Sequence, residues 1–293
     1  MRLRYFESKN FGDALNPYIF SALLPGFFND DPEIDFFGIG SILGFDMVSK
    51  AKRKVVFSSG FAYGTKPQVD ESYDIYCVRG PLTAQSLSLS PELGIIDGAV
   101  LLRKLPMKSP KKEFQYSFMP HWESELKYDW KSLCEKSGIH YISPLQDYLL
   151  TINEIQKTNV MLAEAMHAAI VADALRVPWI PIKAYTGIND FKWKDWTVSV
   201  DMHYQPEKLP SLFQDTAFVR DLCGKKISKH IPSSFYGAGL KMYEIGQSIL
   251  EYNTLSLLEK VKKNESYLSN ERLLDEKIEL LMDKLDRIKK KYG

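Results

Sequence analysis

The sequence is poor in cysteine, balanced in charge and free of long apolar runs. Its three cysteines, Cys77, Cys134 and Cys223, lie far apart and form no CxxC pair. This spacing excludes a disulfide framework and a zinc knuckle and predicts buried free thiols. With 38 basic and 37 acidic residues the net charge is +1, so the chain as a whole has no attraction for nucleic acid. Any anion-binding site must therefore be local.

The sequence also lacks targeting and metal-binding signals. The amino terminus, MRLRYFESKNFGD, has no apolar core of a signal peptide, and the most apolar stretch, residues 160–182, is interrupted by Glu164, Asp173 and Arg176. We therefore expect a cytoplasmic protein without a membrane span. HExxH, GxSxG and clustered His and carboxylate ligands are missing, so metal-dependent hydrolysis and serine-hydrolase chemistry have no support. We expect no metal and no cofactor.

The length and the apolar patterning predict an α/β fold with two lobes. A chain of 293 residues is long enough for two compact lobes and an appendage. Short β-type runs alternate with turns and helical stretches, and this alternation predicts parallel sheets because parallel neighbours need crossover connections. The predicted strands are Arg2 to Phe6, Ile34 to Phe37, Val55 to Phe57, Ile75 to Val78, Phe114 to Met119, Ile139 to Ile142, Val160 to Ala163 and Trp179 to Ile182.

The segment PMKSPKKE predicts a linker between the lobes, which we place at residues 1–108 and 109–203. A helical stretch is expected over Leu126 to Lys136. Residues 204–293 read as a helical extension: helical spacing is expected from Lys208 onward, and one or two amphipathic helices from Ser234 to Tyr292. In the helical segment expected after Lys208, one face would carry Leu212, Phe213, Ala217, Phe218 and Leu222, and Gly224 would cap the end of the helix.

The last helix has a 4,3 apolar spacing, formed by Leu274, Ile278, Leu281, Leu285 and Ile288. The repeat is too short for a coiled coil, so we expect this face to lie across the chain's own lobes, with self-association into a homo-oligomer as the lesser alternative.

Ligands of open parallel sheets bind beyond the carboxyl ends of the strands, so the residues that follow the predicted strands are the candidates for a site. Two lobes facing each other would form a cleft there. In the first lobe these residues are Asn10, Gly12, Asp13, Gly38, Gly40, Ser41, Ser59, Gly60, Arg79 and Asp97; in the second they are His121, Ser143, His167 and Lys183 or Lys192.

Two of these residues have a position that suits chemistry. Arg79 lies between the strand-like DIYCV and Pro81, where a guanidinium at a helix amino end can receive a phosphate or carboxylate, although a turn-capping surface arginine fits equally well. His167 opens the helical HAAIVADALRV and could donate a proton, although a structural hydrogen-bonding role is the common alternative, as it is for His121. The aromatic residues of KAYTGINDFKWKDW suit either a sugar face or a packed loop.

Taken in order from Asn10 to Trp196, the chain resembles the polysaccharide pyruvyl transferase family, and in particular its exopolysaccharide branch. The segments that carry the resemblance are NFGDALNP, FFGIGSIL, VVFSSGF, YCVRGPLTA, LGIIDGAVLL, FMPHWES, AMHAAIVADALRVPWIPI and FKWKDW. The resemblance implies a GT-B-like pair of Rossmann-type lobes with phosphoenolpyruvate in the cleft and no metal requirement.

The resemblance also implies roles for individual residues. Arg79 would bind the donor's phosphate or carboxylate, His167 would be the general acid, and Lys192, in preference to Lys183, would contact the donor. Asp13 is our candidate for the base, and Asn10, Ser41, Ser59, Gly60 and His121 are candidate substrate-binding residues. The chain departs from the family pattern at Glu164, Ala165 and Met166, where relatives have serine and arginine or leucine, so one donor-binding arginine is missing.

The function expected from this resemblance is transfer of the enolpyruvyl unit of phosphoenolpyruvate to two hydroxyls of a sugar, forming a pyruvate ketal. The acceptor would be a lipid-linked oligosaccharide at the inner face of the membrane. The Lys-rich ending RIKKKYG could touch the lipid headgroups, although a solvated helix end is the more common alternative. The alternatives are a GT-B glycosyltransferase using a nucleotide sugar and a non-catalytic carbohydrate-binding or scaffold protein.

Overall fold

The structure is a computed structural model, and it describes residues 1–213 and 233–293. The first sheet has four parallel strands in the order β1-β2-β3-β4. Its strands are β1 (Arg2–Arg4), β2 (Ile34–Phe37), β3 (Arg53–Ser59) and β4 (Tyr73–Val78), and its helices are α1 (Phe11–Leu23), α2 (Pro81–Ser86) and three 3₁₀ helices, Leu43–Val48, Pro91–Leu93 and Gly98–Lys104.

The second sheet has five parallel strands in the order β6-β5-β7-β8-β9. In this order the direction of winding reverses between β5 and β7, which is the point where open α/β sheets bind their ligands. Its strands are β5 (Phe114–Met119), β6 (His140–Tyr141), β7 (Thr158–Ala163), β8 (Trp179–Lys183) and β9 (Glu207–Lys208), and its helices are α3 (Trp122–Glu125), α4 (Trp130–Lys136), α5 (Tyr148–Gln156), α6 (Met166–Ala174) and α7 (Asp190–Ser199).

The eight predicted strands and the parallel α/β class are confirmed, with boundaries that differ by a few residues. Two predictions of helices differ from the structure. The helical stretch expected over residues 126–136 is shorter than predicted, since α4 begins only at Trp130. The chain is not helical from Lys208, because Glu207–Lys208 pairs as the edge strand β9 and residues 209–213 are irregular. Pro206 and Pro210 explain this, since proline ends a helix and is tolerated at a sheet edge.

Part of the predicted extension cannot be compared with the structure, because Ala217, Phe218, Leu222, Cys223 and Gly224 lie outside the described residues. The other two cysteines are free and buried, as predicted, and burial raises the pKa of the Cys77 thiol to about 12.

One hydrophobic core joins the two sheets. It contains Leu15 of α1, Phe57 of β3 and Val100 of the 3₁₀ helix together with Met161 of β7 and Ile170 of α6. The helices between the sheets therefore bury apolar side chains from both, and the connection over residues 105–113 crosses between them. The boundaries of the two lobes and the GT-B likeness stay predictions.

Two long helices complete the chain, as predicted for residues 234–292: α8 (Ser233–Val261) and α9 (Glu271–Tyr292). Helix α8 contributes Leu258 and Val261 to the core of the second sheet. No helix of the described residues is both long and apolar enough to cross a bilayer.

Helix α9 packs on the chain's own core, which confirms the prediction for its 4,3 stripe. The five stripe residues, Leu274, Ile278, Leu281, Leu285 and Ile288, are all buried in the core that the two sheets share. The helix is fixed at both ends, by Arg103 beside Glu271 and Asp275 and by Lys291 and Tyr292 on Asp74.

Neighbouring leucines of α9 provide a matched test of this packing. Leu281 is 0% exposed and Leu280 is 48% exposed. Leu281→Ala should lower the free energy of unfolding by about 2–5 kcal/mol because it leaves a cavity. Leu280→Ala should change it by less than about 0.5 kcal/mol. Urea denaturation checks both values, and equal losses in the two variants would contradict the docking of α9.

Candidate functional site

A cavity of about 600 Å³ opens at the carboxyl ends of the strands of both sheets. Its walls are the turns after β1, β2 and β3 on one side and the turns after β5, β6, β7 and β8 on the other. The winding reversal of the second sheet, between β5 and β7, therefore borders it. Eight of the candidate site residues are brought together in the lining: Asn10, Gly12, Asp13, Gly40, Ser41, His121, His167 and Lys192.

Three helices begin at this cavity, α1 after Asn10, α6 after Ala165 and α7 after Asn189. The amino end of a helix carries partial positive charge and free N–H groups, so it favours an anion. Lys9 and Lys192 place two amino groups in the lining, together with the carboxylates of Asp13 and Glu123. The cavity is therefore electrostatically suited to a small anionic ligand.

Lys192 is the lysine held deepest in this wall. Burial and then the neighbouring positive charge of Arg79 lower the pKa of Lys192 to about 8. A lysine with this pKa is mostly charged at pH 7 but loses its charge as the pH rises past 8, and a bound anion would raise the pKa again. Lys183 instead forms an ion pair with Asp190 at 2.6 Å and lies outside the lining.

Arg79 lies one layer beneath the cavity and is completely buried. Its Nε donates to Asp195 Oδ2 at 2.9 Å and its Nη1 donates to Ser41 Oγ, while Nη2 has no partner among the residues that the structure describes. The guanidinium needs glycine at position 60, because a Cβ there would lie 2.2 Å from Arg79 Cζ. Arg79 can therefore act on a ligand through Ser41 or by turning Nη2 toward the cavity.

Ser59 and Gly60 support the same layer without lining the cavity. The Ser59 hydroxyl donates to the carbonyl oxygen of Gly40 at 3.2 Å, and the Gly60 N–H donates to the same oxygen at 2.8 Å. They fix the Gly40–Ser41 turn. Whether either residue contacts substrate stays a prediction.

His167 lies at the first turn of α6, as the sequence predicts, with its side chain 14% exposed. Its Nε2 lies 3.7 Å from Asp97 Oδ2. The other face of the ring touches Gly12, where a Cβ would lie only 2.0 Å from His167 Nδ1. An imidazole with an acidic neighbour at the edge of an anion-binding cavity can act as a proton donor.

His121 is in a different electrostatic state. Burial first, and then the charges of Lys192 and Lys127, lower its pKa to about 3. It is therefore neutral at physiological pH, and its Nδ1 accepts a hydrogen bond from the Glu123 N–H at 3.4 Å. His121 can orient a ligand but cannot supply a proton from an imidazolium.

Glu164, at the departure from the family pattern, is a buried structural carboxylate. Its Oε1 accepts from the N–H groups of Ala184 and Tyr185 at 2.9 and 2.7 Å, and its Oε2 accepts from the His121 N–H at 2.9 Å. It thus ties together the turns after β5 and β8. Its neighbour Ala165 lines the cavity.

Asp13 faces the cavity from the first turn of α1. Its Oδ2 accepts from Ser8 Oγ at 2.8 Å and from Asn10 Nδ2 at 3.0 Å. Asn10 thus orients the Asp13 carboxylate. Both residues are placed where a substrate hydroxyl could reach them.

The tryptophans of FKWKDW do not form a sugar face. Trp193 and Trp196 are completely buried, next to Trp179, so the packed alternative is correct. Aromatic side chains do surround the cavity mouth, but they come from elsewhere. The exposed apolar residues of the lining are Phe6, Phe45, Tyr63, Trp122 and Leu126.

Sequence reasoning missed several residues of the site. Asp195 pairs with Arg79 from a position 116 residues away, and no local pattern indicates this contact. Lys9, Glu123 and the aromatic residues of the mouth were also missed. Their only signal was their place in or near the turn segments NFGD, GIGS, SSGF and PHWES. Among residues 1–213 and 233–293, no three or more His, Cys, Asp or Glu side chains are grouped to hold a metal ion.

The fold and this site describe an α/β protein with two parallel sheets and an anion-suited cavity between their strand ends. No family model matches the chain. Over 225 residues the chain is 40% identical to the succinoglycan biosynthesis protein ExoV of Rhizobium meliloti (strain 1021), an alignment that covers 75% of this chain and 71% of that protein. The chain belongs to the polysaccharide pyruvyl transferase family.

The Arg79–Asp195 pair provides a stability test at the base of the site. Asp195→Asn keeps the shape of the side chain but leaves the buried guanidinium uncompensated, which should cost about 3–5 kcal/mol of unfolding free energy. Asp190→Asn is the matched control on the same helix, because Asp190 is 43% exposed and pairs with Lys183. This control should cost less than about 1 kcal/mol. Chemical denaturation measures both, and similar small losses would contradict a structural role for the buried pair.

Proposed function

We propose that the protein transfers the enolpyruvyl unit of phosphoenolpyruvate to two hydroxyls of a sugar in a polysaccharide repeat unit, forming a pyruvate ketal and releasing phosphate. The family supports this proposal, as does the relative's part in succinoglycan biosynthesis. The observation that carries it is the location of His167, a candidate acid, in a cavity with Lys192 and three helix amino ends. An acid beside an anion site is what addition to an enol phosphate requires.

The donor would be bound through its charges. Phosphoenolpyruvate carries a phosphate and a carboxylate, and the amino ends of α1, α6 and α7 with Lys9 and Lys192 supply positive potential for both. Arg79 would add a charge-assisted contact through its unpartnered Nη2. No resident metal or other cofactor is part of the proposal.

The reaction begins with proton transfer to carbon. His167 gives a proton to the methylene carbon, the electron pair of the C=C bond forms the new C–H bond, and the adjacent carbon becomes oxocarbenium-like. A sugar hydroxyl attacks that carbon and loses its proton to a base. Phosphate then leaves, and a second hydroxyl closes the ketal with loss of its own proton. One proton is returned to His167 and one leaves with phosphate.

Asp13 is the proposed base. Its carboxylate lines the cavity and is oriented by Ser8 and Asn10. His121 is less suited to moving charge, because it stays neutral and its Nδ1 is occupied by the Glu123 N–H. It would instead contact the substrate through its other ring nitrogen.

The acceptor would enter through the aromatic mouth of the cavity. The five apolar residues there are 37–67% exposed, and they lie on both walls: Phe6, Phe45, Tyr63, Trp122 and Leu126. Aromatic rings with one wet edge bind amphipathic surfaces, and a pyranose has an apolar C–H face and polar edges. This arrangement favours a saccharide over a second small anion at the mouth.

We propose a lipid-linked oligosaccharide as the acceptor, met in the cytoplasm at the inner face of the membrane. The Lys-rich end of α9 offers only part of its charge for membrane contact, because Lys291 pairs with Asp74. Lys289 and Lys290 are exposed and would supply it.

Isotope labelling tests the proposed chemistry. In heavy water the ketal methyl group should gain one solvent deuterium per turnover, because two of its protons come from the methylene and the third comes from an exchangeable acid. A glycosyltransferase would leave no such label. Mass spectrometry of the product formed from phosphoenolpyruvate and lipid-linked oligosaccharide measures it.

A substitution identifies the acid. His167→Gln should lower kcat by roughly 10²- to 10⁴-fold with little change in donor affinity. His203→Gln, at an exposed position outside the cavity lining, should leave kcat unchanged. Near-normal turnover by the His167 variant would contradict its role as the general acid and leave it a structural residue.

The charge of Lys192 predicts a pH dependence of donor binding. Its pKa of about 8 means that the free protein loses this positive charge as the pH rises above 8, so the Kd for phosphoenolpyruvate should increase there. Lys192→Met should bind the donor more weakly at neutral pH and lose this dependence. Lys194→Met, at an exposed position on the same helix, should behave like the unaltered protein. Calorimetric titration at several pH values measures the three, and a Kd that is flat across pH 8 in the unaltered protein would count against Lys192 as a donor contact.

A further inference from the structure

Unpartnered polar atoms lie together behind His167. Among the described residues, His167 Nε2 and Asp97 Oδ2 are both buried and have no hydrogen-bond partner, and they lie 3.7 Å apart. Buried polar atoms in native proteins nearly always have a partner, so this pair calls for a physical explanation. When the imidazole is protonated, the two atoms form an ion pair.

Asp97 is held in place by its own helix. Its Oδ1 accepts from the Ala99 N–H at 2.9 Å and caps the 3₁₀ helix Gly98–Lys104. The carboxylate is completely buried, and within the described chain His167 is the ion-pair partner found for it. With Oδ1 committed to the cap, Oδ2 is the oxygen left for the imidazole.

The opposite side of the ring faces the cavity. Gly12 lines the cavity and lies against His167 Nδ1 so closely that a Cβ at position 12 would be 2.0 Å from that atom. The ring is thus held between Asp97 on its Nε2 side and Gly12 on its Nδ1 side. Of the two nitrogens, Nε2 is buried and faces Asp97, whereas Nδ1 lies on the side of Gly12, a residue of the cavity lining.

We infer that Asp97 is the positioning residue of the reaction: its Oδ2 accepts the Nε2–H of His167, so that Nδ1 is the nitrogen that delivers the proton to the donor's methylene carbon. This inference rests on the proposed function only for the proton's destination. In the transfer the Nδ1–H bond breaks and the new C–H bond forms, while Nε2 keeps its proton toward Asp97. The carboxylate stabilises the imidazolium and does not take the proton itself.

The separation of 3.7 Å fits this role. Contacts between catalytic groups are often long in a protein without ligand and shorten in the complex. Which ring nitrogen carries the proton is set by the hydrogen bond that the other nitrogen makes or lacks. A fixed acceptor at Nε2 therefore selects the tautomer whose lone pair lies on Nδ1.

The tautomer can be measured without any activity. Long-range ¹H–¹⁵N correlation spectra of the full-length protein report the protonation of each ring nitrogen, and His167→Gln assigns the signal among the five histidines. In the unaltered protein, neutral His167 should carry its proton on Nε2. In Asp97→Asn the cap should keep the amide oxygen on the Ala99 N–H and turn the NH₂ group toward Nε2, which should move the proton to Nδ1.

Kinetics supply the second measurement. Asp97→Asn should lower kcat by one to three orders of magnitude, within the range expected for a general acid, while the KM for phosphoenolpyruvate stays within about twofold. Asp147→Asn is the matched control, because Asp147 caps α5 through the N–H groups of Leu149 and Leu150 outside the cavity lining. It should change neither the tautomer nor kcat.

Each result decides the inference. A proton on Nδ1 in the unaltered protein overturns it, with no variant needed, and so does a loss of kcat in Asp97→Asn with the tautomer unchanged. The expected tautomer in both proteins supports the positioning role even if no phosphoenolpyruvate is turned over, in which case the proposed function alone fails. The expected tautomer together with the kcat effect supports both.

Discussion

The buried ion pair between Arg79 and Asp195 is the contact on which the geometry of the cavity depends. Arg79 follows the last strand of the first sheet, and Asp195 lies on α7, which follows β8 of the second. Asp195 also accepts from the N–H and the hydroxyl of Thr83 on α2. Because Lys192 precedes Asp195 by one helical turn, the same contact that joins the two halves also fixes where Lys192 enters the cavity.

This arrangement places two basic side chains, Arg79 and Lys192, near each other at the base of the cavity. Asp195 compensates only part of the Arg79 charge, and the remaining potential contributes to the low pKa of Lys192. The negative charges of Glu123 and Asp13 offset part of this effect, and a bound anion would offset more of it. Preorganised groups of this kind act without reorganisation at the moment of reaction. The binding of an anionic donor would therefore relieve a repulsion that the fold already holds.

Local patterns in the sequence were enough for the parallel strands, for His167 at the start of α6 and for Arg79 before α2, because each depends on a strand followed at once by a turn. They were not enough for contacts between distant segments. The Arg79–Asp195 pair joins residues 116 positions apart, and the burial of Trp193 and Trp196 depends on Trp179 from another element. The sequence shows the prolines on either side of Glu207, but no local pattern identifies β8 as the strand with which β9 pairs.

The departure from the family pattern before His167 has a physical consequence for where donor-binding charge can come from. Glu164 is committed to three backbone N–H groups, and Ala165 presents only a methyl group to the cavity. The turn between β7 and α6, formed by Glu164 and Ala165, therefore offers no lysine or arginine. The lysines that line the cavity come from the β1–α1 turn, with Lys9, and from α7, with Lys192. On the proposed function the donor would thus be held from both walls at once, and its binding would depend on the contact that keeps those walls together.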